Sequence, residues 1–429
     1  MVIGGGPAGS TIATLLRQRG RSVTVLEKEQ HPRFHIGESL LPQNLRILER
    51  LGVLDQVRAI GVPKHGAEFN SQMHSSPVTY YFENAVDKRY PYAYEVRRSE
   101  FDHLLLQNAA CQGADVHQCV RVVDVDLRAG ARSIVHGVDE HGNRSEWHTR
   151  FVVDASGRDT LLANKMGWKQ KNPKHNSAAI FGHFDNVVRR SGRDEGNISV
   201  CWFEHGWFWM IPLRDGRMSV GAVCFPEYLR TRKTSPEEFL WQTIRACPSV
   251  NERMREATLT GEVRATGNYS YTSRRMYGDG FLLVGDANAF VDPVFSSGVY
   301  LAMSGATAAA EAVDVWLRDA RAGERLLRRY QRDVRRAIRM FSWFIYRFTS
   351  PAMRSLFMAP GNVLRMEEAV TSMLAGDVYG ASPIRAPLAL FKVVYYVSWV
   401  LNLRRAWAVH RRRRRNARVQ FVEETQAGD

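Results

Sequence analysis

The 429-residue chain lacks the features that would place it outside a reducing compartment or across a bilayer. Its five cysteines (Cys111, Cys119, Cys201, Cys224 and Cys247) form no C-x-x-C pair. This odd, scattered set fits buried free thiols in a reducing cytoplasm better than a disulfide frame, and it argues against a structural zinc site. Met1 runs straight into a glycine-rich turn, with no basic, apolar and small-residue succession that would signal secretion. The longest apolar stretch, APLALFKVVYYVSWVL at 386–401, is interrupted by Lys392. It is also shorter than the ~20 residues a bilayer requires, and it is read as a buried or interface helix. There is no internal repeat.

What is present is a 45% hydrophobic composition, enough for two or three lobes around a shared core. The net charge of +15 is concentrated late, with many arginines from 325 onward and a run HRRRRR at 410–415. Such a run is a solvated tail, or a docking patch for an acidic protein or an anionic lipid surface. Nucleic acid ranks last, because the run lacks interleaved aromatics and no recognised module surrounds it.

The opening MVIGGGPAGSTIATLLRQRGRSVTVLEKEQ reads as strand, glycine turn, helix and strand. Its first strand, Val2 and Ile3, is shorter than the ~5 residues usual for a buried strand, which predicts a start upstream of Met1. A helix is expected near 100–112 and strands over 115–154, with DEHGN as a hairpin turn. Residues 177–224 read as a meander turning at Arg214-Asp215-Gly216. SPEEF should open a helix with Ser235 as N-cap, Pro236 at the first position and Glu238 closing a capping box. FLLVGDA, 281–287, is a buried strand followed by a glycine loop and a long helix from about 299. Beyond 331 the chain reads as helical and basic, broken by Pro351, Pro360, Pro383 and Pro387.

Gly4, Gly6 and Gly9 form G-x-G-x-x-G between a strand and a helix. The first glycine allows the turn, the second lets backbone approach a pyrophosphate, and the third lets helix and strand pack closely. Glu27 ends the next strand, eighteen positions after Gly9, where a carboxylate can take both ribose hydroxyls. This much leaves NAD and FAD open. GDANAFVDPVFSSG at 285–298 places Asp286 after a buried strand and leads into a helix whose free amides suit an anion or an electron-rich ring. VVDASG at 152–157 adds a third strand end bearing a carboxylate, Asp154.

These three stretches together resemble the flavoprotein monooxygenase superfamily over about residues 1–320. The resemblance implies an α/β fold: a Rossmann-like FAD-binding domain (1–170 and 270–330), an inserted antiparallel sheet domain (171–269) and a basic helical C-terminal region (331–429). It makes Gly4, Gly6, Gly9, Glu27, Arg98 and Asp286 contacts of FAD. Only one dinucleotide fingerprint is seen, so reduced flavin, FADH2, is expected from a separate NAD(P)H flavin reductase.

RFHIGESLLP at 33–42, PKHGAEF at 63–69 and WFWMIP at 207–212 are similar to the flavin-dependent halogenases, in the branch acting on phenols, pyrroles and carrier-protein-bound aromatics. That resemblance implies a reaction of FADH2 and O2 with chloride or bromide, through a flavin hydroperoxide and hypohalous acid. Lys64 would then present electrophilic halogen to the substrate. Trp207 and Trp209 would wall the flavin from the substrate, and Ser297 and Gly298 would hold the halide. Phe295 stands where the tryptophan-specific members carry a catalytic glutamate, which argues against free tryptophan as substrate. An aromatic hydroxylase on the same scaffold is the alternative enzyme, and a flavin-binding or carrier-docking protein without turnover is the alternative class. The basic C-terminal region offers an acidic carrier protein a docking surface; a membrane surface or a loose tail explains it as well.

Overall fold

The computed structural model describes residues 1–401 and 411, apart from 174, 175, 268, 269 and 381. The arginine run at 410–415, except Arg411, lies outside the described residues.

Short apolar runs that stop at a glycine or an acid build the first sheet. Its six strands lie in the order Tyr277–Gly278, Phe281–Leu283, Val152–Asp154, Val2–Ile3, Thr24–Leu26 and Asp115–His117. All pairings are parallel except the edge hairpin of Tyr277–Gly278 with Phe281–Leu283. Parallel strands require crossovers and are buried on both faces in the middle of a sheet, which is why Val2–Ile3, Val152–Asp154 and Phe281–Leu283 are mostly apolar and buried while the edge strand Asp115–His117 is polar and partly exposed. The helix Pro7–Arg17 follows the first strand, and its residues from Pro7 to Leu16 are all buried. It packs against the helices Arg98–Cys111 and Ser297–Trp316. Gly4, Glu27, Asp154 and Asp286 therefore gather at the carboxyl ends of neighbouring strands, where open α/β sheets bind their ligands.

A second sheet of seven strands runs Thr258–Thr266, Ala178–Asp185, Met218–Cys224, Gly206–Pro212, Ile198–Phe203, Gly66–Ser71 and Val78–Tyr81. The meander turns where expected, with Gly216 at φ +88 and Leu213 N–H bonded to the Arg217 carbonyl. The expected antiparallel pattern has one exception: Gly66–Ser71 joins Ile198–Phe203 in parallel, Ala67 opposite Ile198 and Phe69 opposite Val200. The sheet separates two cores. Trp207, Trp209 and Ile211 face the main core. Phe208 and Met210 face a smaller one, closed by Phe239, Leu240 and Ile244 of the helix Pro236–Arg245.

Two local expectations need correction. Ser235 caps its helix by accepting from the Glu238 N–H, but the Glu238 carboxylate does not close the box. Its Oε1 accepts instead from Arg245 at 2.9 Å and Gln242 at 3.2 Å, because cationic and amide donors outcompete a single backbone N–H. Pro387 does not break its segment. It sits in the first turn of the helix Arg385–Leu401, where a missing N–H costs no intrahelical bond. The other C-terminal helices are Ser297–Trp316, Ala320–Ile345, Pro351–Met358 and Met366–Leu374.

Candidate active site

Around the glycine turn, steric facts fix the role of each glycine. A Cβ on Gly4, which lies at φ +99, would fall 2.4 Å from the Ala155 carbonyl oxygen, and one on Gly9 would fall 1.9 Å from that of Gly4. Both positions are closed to any side chain. Gly6 is open: its nearest neighbour is the Arg33 guanidinium at 3.6 Å, leaving room for an anion beside a cation. Buried Glu27 accepts from the Gly5 N–H at 2.6 Å and the Glu29 N–H at 3.0 Å. Arg98 grips fully buried Asp102 with two bonds of 2.8 and 2.9 Å and donates to the Ile36 carbonyl at 2.6 Å. Burial pushes the Asp102 carboxyl up, but the Arg98 guanidinium outweighs it and holds the group below the usual aspartate range. Asp286 is half-buried, and its partial loss of solvent pushes its carboxyl up to about 6 against the pull of Arg158 and Arg98.

Gly285, Asp286 and Gly298 line one shallow, open hollow. The helix Ser297–Trp316 begins there, and Ser296 before it is held at φ 54, ψ 23, a left-handed conformation that strains a residue with a side chain. The Ser297 hydroxyl is fully buried and has no hydrogen-bond partner among the described residues. A buried orphan donor at a helix N-terminus, with a glycine beside it, is an arrangement that an anion would complete. Phe295 is buried against Phe348, Phe357 and Phe344, with ring centroids 5.4 to 6.3 Å apart, so this wall is aromatic where a carboxylate base would otherwise stand.

Lys64 occupies a separate, closed setting. Three extended segments meet there: Val62–Lys64 pairs with Ala93–Glu95, and Ser39 bridges to Glu95. The Lys64 ammonium, 1% exposed, donates to Ser39 Oγ at 2.7 Å and to the Leu40 carbonyl at 3.2 Å. Glu95 Oε1 stands 3.8 Å away, a charge contact rather than a hydrogen bond. Burial lowers the Lys64 pKa, with Glu95 opposing, and burial pushes the Glu95 carboxyl up to about 7, with Lys64 opposing. Both displacements favour the uncharged forms, and a neutral amine is a nucleophile.

The three motif stretches are thus joined through side chains. RFHIGES touches PKHGAEF through Ser39 and Lys64. It reaches the aromatic strand through Phe34, stacked on Phe181 at 6.4 Å, and Phe181 lies 5.8 Å from Trp209. Glu38 accepts from His183 Nε2 at 2.8 Å in the same layer. Trp209 donates to Ser219 Oγ at 3.1 Å, and Trp207 packs on Phe348, the ring that also meets Phe295. The indoles do not surround Lys64: Trp209 is level with Phe69 and Trp207 with Ser71 across the sheet, five and seven residues beyond the lysine. Glu95 and Ser39 were not singled out from sequence. The available signal was a lone acid inside the apolar run YPYAYEV, since an unpaired charge is seldom placed among such residues.

Known proteins resemble this chain over most of its length. A sequence profile described as "FAD binding domain" matches residues 1–342. The chain is 31% identical over 405 residues to the 1H-pyrrole-2-carbonyl-[peptidyl-carrier protein] chlorinase of Pseudomonas fluorescens, covering 88% of this chain and 89% of that protein. It is 37% identical to the tryptophan 2-halogenase of Chondromyces crocatus, over 73% of this chain and only 60% of that longer protein. Among solved structures, the myxobacterial chondrochloren halogenase CndH superposes with a TM-score of 0.77 at 36% identity, covering 89% of this chain and 91% of the other.

Proposed function

The chain belongs to the flavin-dependent halogenases, and from that premise we propose that it chlorinates or brominates an electron-rich aromatic, a phenol or a pyrrole, with Lys64 delivering the halogen. The carrying observation is Lys64 itself: a lysine shut away from water, its amine favoured by desolvation, on a strand beside two partners that fix its direction. A structural lysine gains nothing from such burial.

The residues present fit FAD. Open Gly6 beside Arg33 suits the pyrophosphate, Glu27 the ribose, and the hollow at Gly285, Asp286 and Gly298 the ring end. When bound and reduced, FAD with O2 supplies the two-electron oxidising equivalent that converts halide into hypohalous acid. Ser297 and the first amides of its helix would hold the halide, since among the described residues the Ser297 hydroxyl meets no partner and no N-cap side chain bonds the helix start. Trp207 and Trp209 would exclude the substrate from the oxidant's source by bulk. The Lys64 ammonium would pass a proton to Glu95, and its neutral nitrogen would then take the halogen from hypohalous acid, breaking the oxygen–halogen bond and releasing water. Phe295 leaves that wall without a base, so the substrate ring must be nucleophilic by itself, which favours phenolate or pyrrole over an unactivated indole.

The Pseudomonas relative's name specifies a carrier-bound pyrrole, so an acidic carrier protein bearing the substrate is part of this proposal. A separate NAD(P)H flavin reductase is the other partner. The test is mass spectrometry of products after incubation with FAD, a flavin reductase, NADH, chloride or bromide, and phenols, pyrroles and tryptophan, free and carrier-bound. Halogenated phenol or pyrrole is expected, with Lys64→Met reducing it about 10³-fold while flavin reoxidation continues. Hydroxylated products, or tryptophan as the preferred substrate, would overturn the reading.

A further inference from the structure

The helix Arg385–Leu401 turns Leu388, Phe391 and Tyr395 into the core. Its other face carries Val393, Tyr396, Val397, Val400 and Leu401, spaced as one helical stripe and between 47% and 80% exposed. Soluble surfaces tolerate single apolar residues but seldom a contiguous stripe of five. Cations and aromatic rings border it. Lys392 Nζ lies 5.1 Å over the Trp343 ring, and Arg347 stacks on Trp343 at 4.6 Å while donating to the Tyr396 hydroxyl at 2.8 Å. The surrounding sequence, 378–422, holds ten Lys and Arg residues and no Asp or Glu.

We propose that this helix lies on an anionic lipid surface, its aliphatic stripe at the acyl boundary and the bordering Arg347 and Lys392, with the arginines that follow in sequence, meeting the headgroups. An apolar face bordered by aromatics and cations, joined to a polybasic segment, supplies the two signals that stable peripheral binding needs. The stripe offers bulk rather than oriented donors and acceptors, which suits a fluid surface better than a folded acidic partner. No helix among the described residues is long and apolar enough to cross a membrane, so the helix would lie flat. Its neighbours Pro351–Met358 and Met366–Leu374 connect it to the wall containing Phe357 and Phe295, which brings the site's aromatic side near the bilayer.

The test is co-sedimentation of the full chain, loaded with FAD, with vesicles of phosphatidylcholine alone or mixed with phosphatidylglycerol, at low and high salt. Binding is expected to require phosphatidylglycerol and to weaken with salt. It should fall about fivefold for each arginine of 411–415 changed to serine. The double variant Val397→Asp, Leu401→Asp should lose about tenfold in vesicle affinity while retaining FAD and activity on a soluble phenol. Equal binding to neutral vesicles, or no binding, refutes the proposal. So does a dimer in sedimentation velocity that the same double variant dissociates, or an acidic carrier protein that binds the stripe where vesicles do not.

Discussion

Burial pulls Lys64 and Glu95 each towards its own neutral form, and their interaction resists it. Because the Glu95 charge favours the ammonium, Glu95→Gln should lower the Lys64 pKa further and move the acid limb of the halogenation profile to lower pH. An unmoved limb would show that the two groups are not coupled. Stability gives an independent reading. The folded chain keeps a proton on Glu95 between the ordinary glutamate range and about 7, where the unfolded chain has released it. Raising pH through that interval therefore weakens the fold, and Glu95→Gln should flatten the slope in thermal melts across it. Lys64 was legible because a motif surrounds it in sequence. Glu95 was not, since its pairing arises only where three segments from 39, 64 and 95 are brought together.

Local periodicity was the best guide to individual elements. Alternation in WFWMIP assigned Trp207, Trp209 and Ile211 to one face and Phe208 and Met210 to the other, and two separate cores realise that division. The capping box and the proline break failed because each depends on which neighbouring donor or acceptor wins, a competition that spacing does not record. The helix Ser297–Trp316 gives a sharp test of its N-terminus. A Cβ at Gly298 meets nothing within 4 Å, so Gly298→Ala should fold, and it should gain about 0.5–1 kcal/mol from the helix preference for alanine. The added methyl nonetheless enters the hollow shared with Asp286. Raised thermal stability with a higher KM for halide is the expected result; an unchanged KM would remove the halide from this position. Gly9→Ala should do the opposite and lose both stability and FAD, because its Cβ overlaps the Gly4 carbonyl.

On the scale of the whole molecule, the parallel sheet could be read from strand ends carrying glycine or acid, but the sharing of strands between regions could not. Nothing in GAEFNS announces that its parallel partner is Ile198–Phe203, since pairing partners in a sheet are set by packing rather than by local pattern. That single pairing also sets a schedule. It joins residues about 130 positions apart, and contacts of such separation must overcome loop closure before they return any stability. The glycine turn and its helix close over short distances and can form early, whereas the strand that follows Lys64 gains its neighbour only after the meander exists. In pulsed hydrogen exchange during refolding, the amides of 66–71 should become protected in step with those of 198–212 and after those of 7–17. Protection of 66–71 together with 7–17 would contradict this order. Assembly of the lysine's surroundings is thus a late event in the life of the chain, and so is that of the flavin's seat, whose Gly4 and Asp286 lie about 280 positions apart.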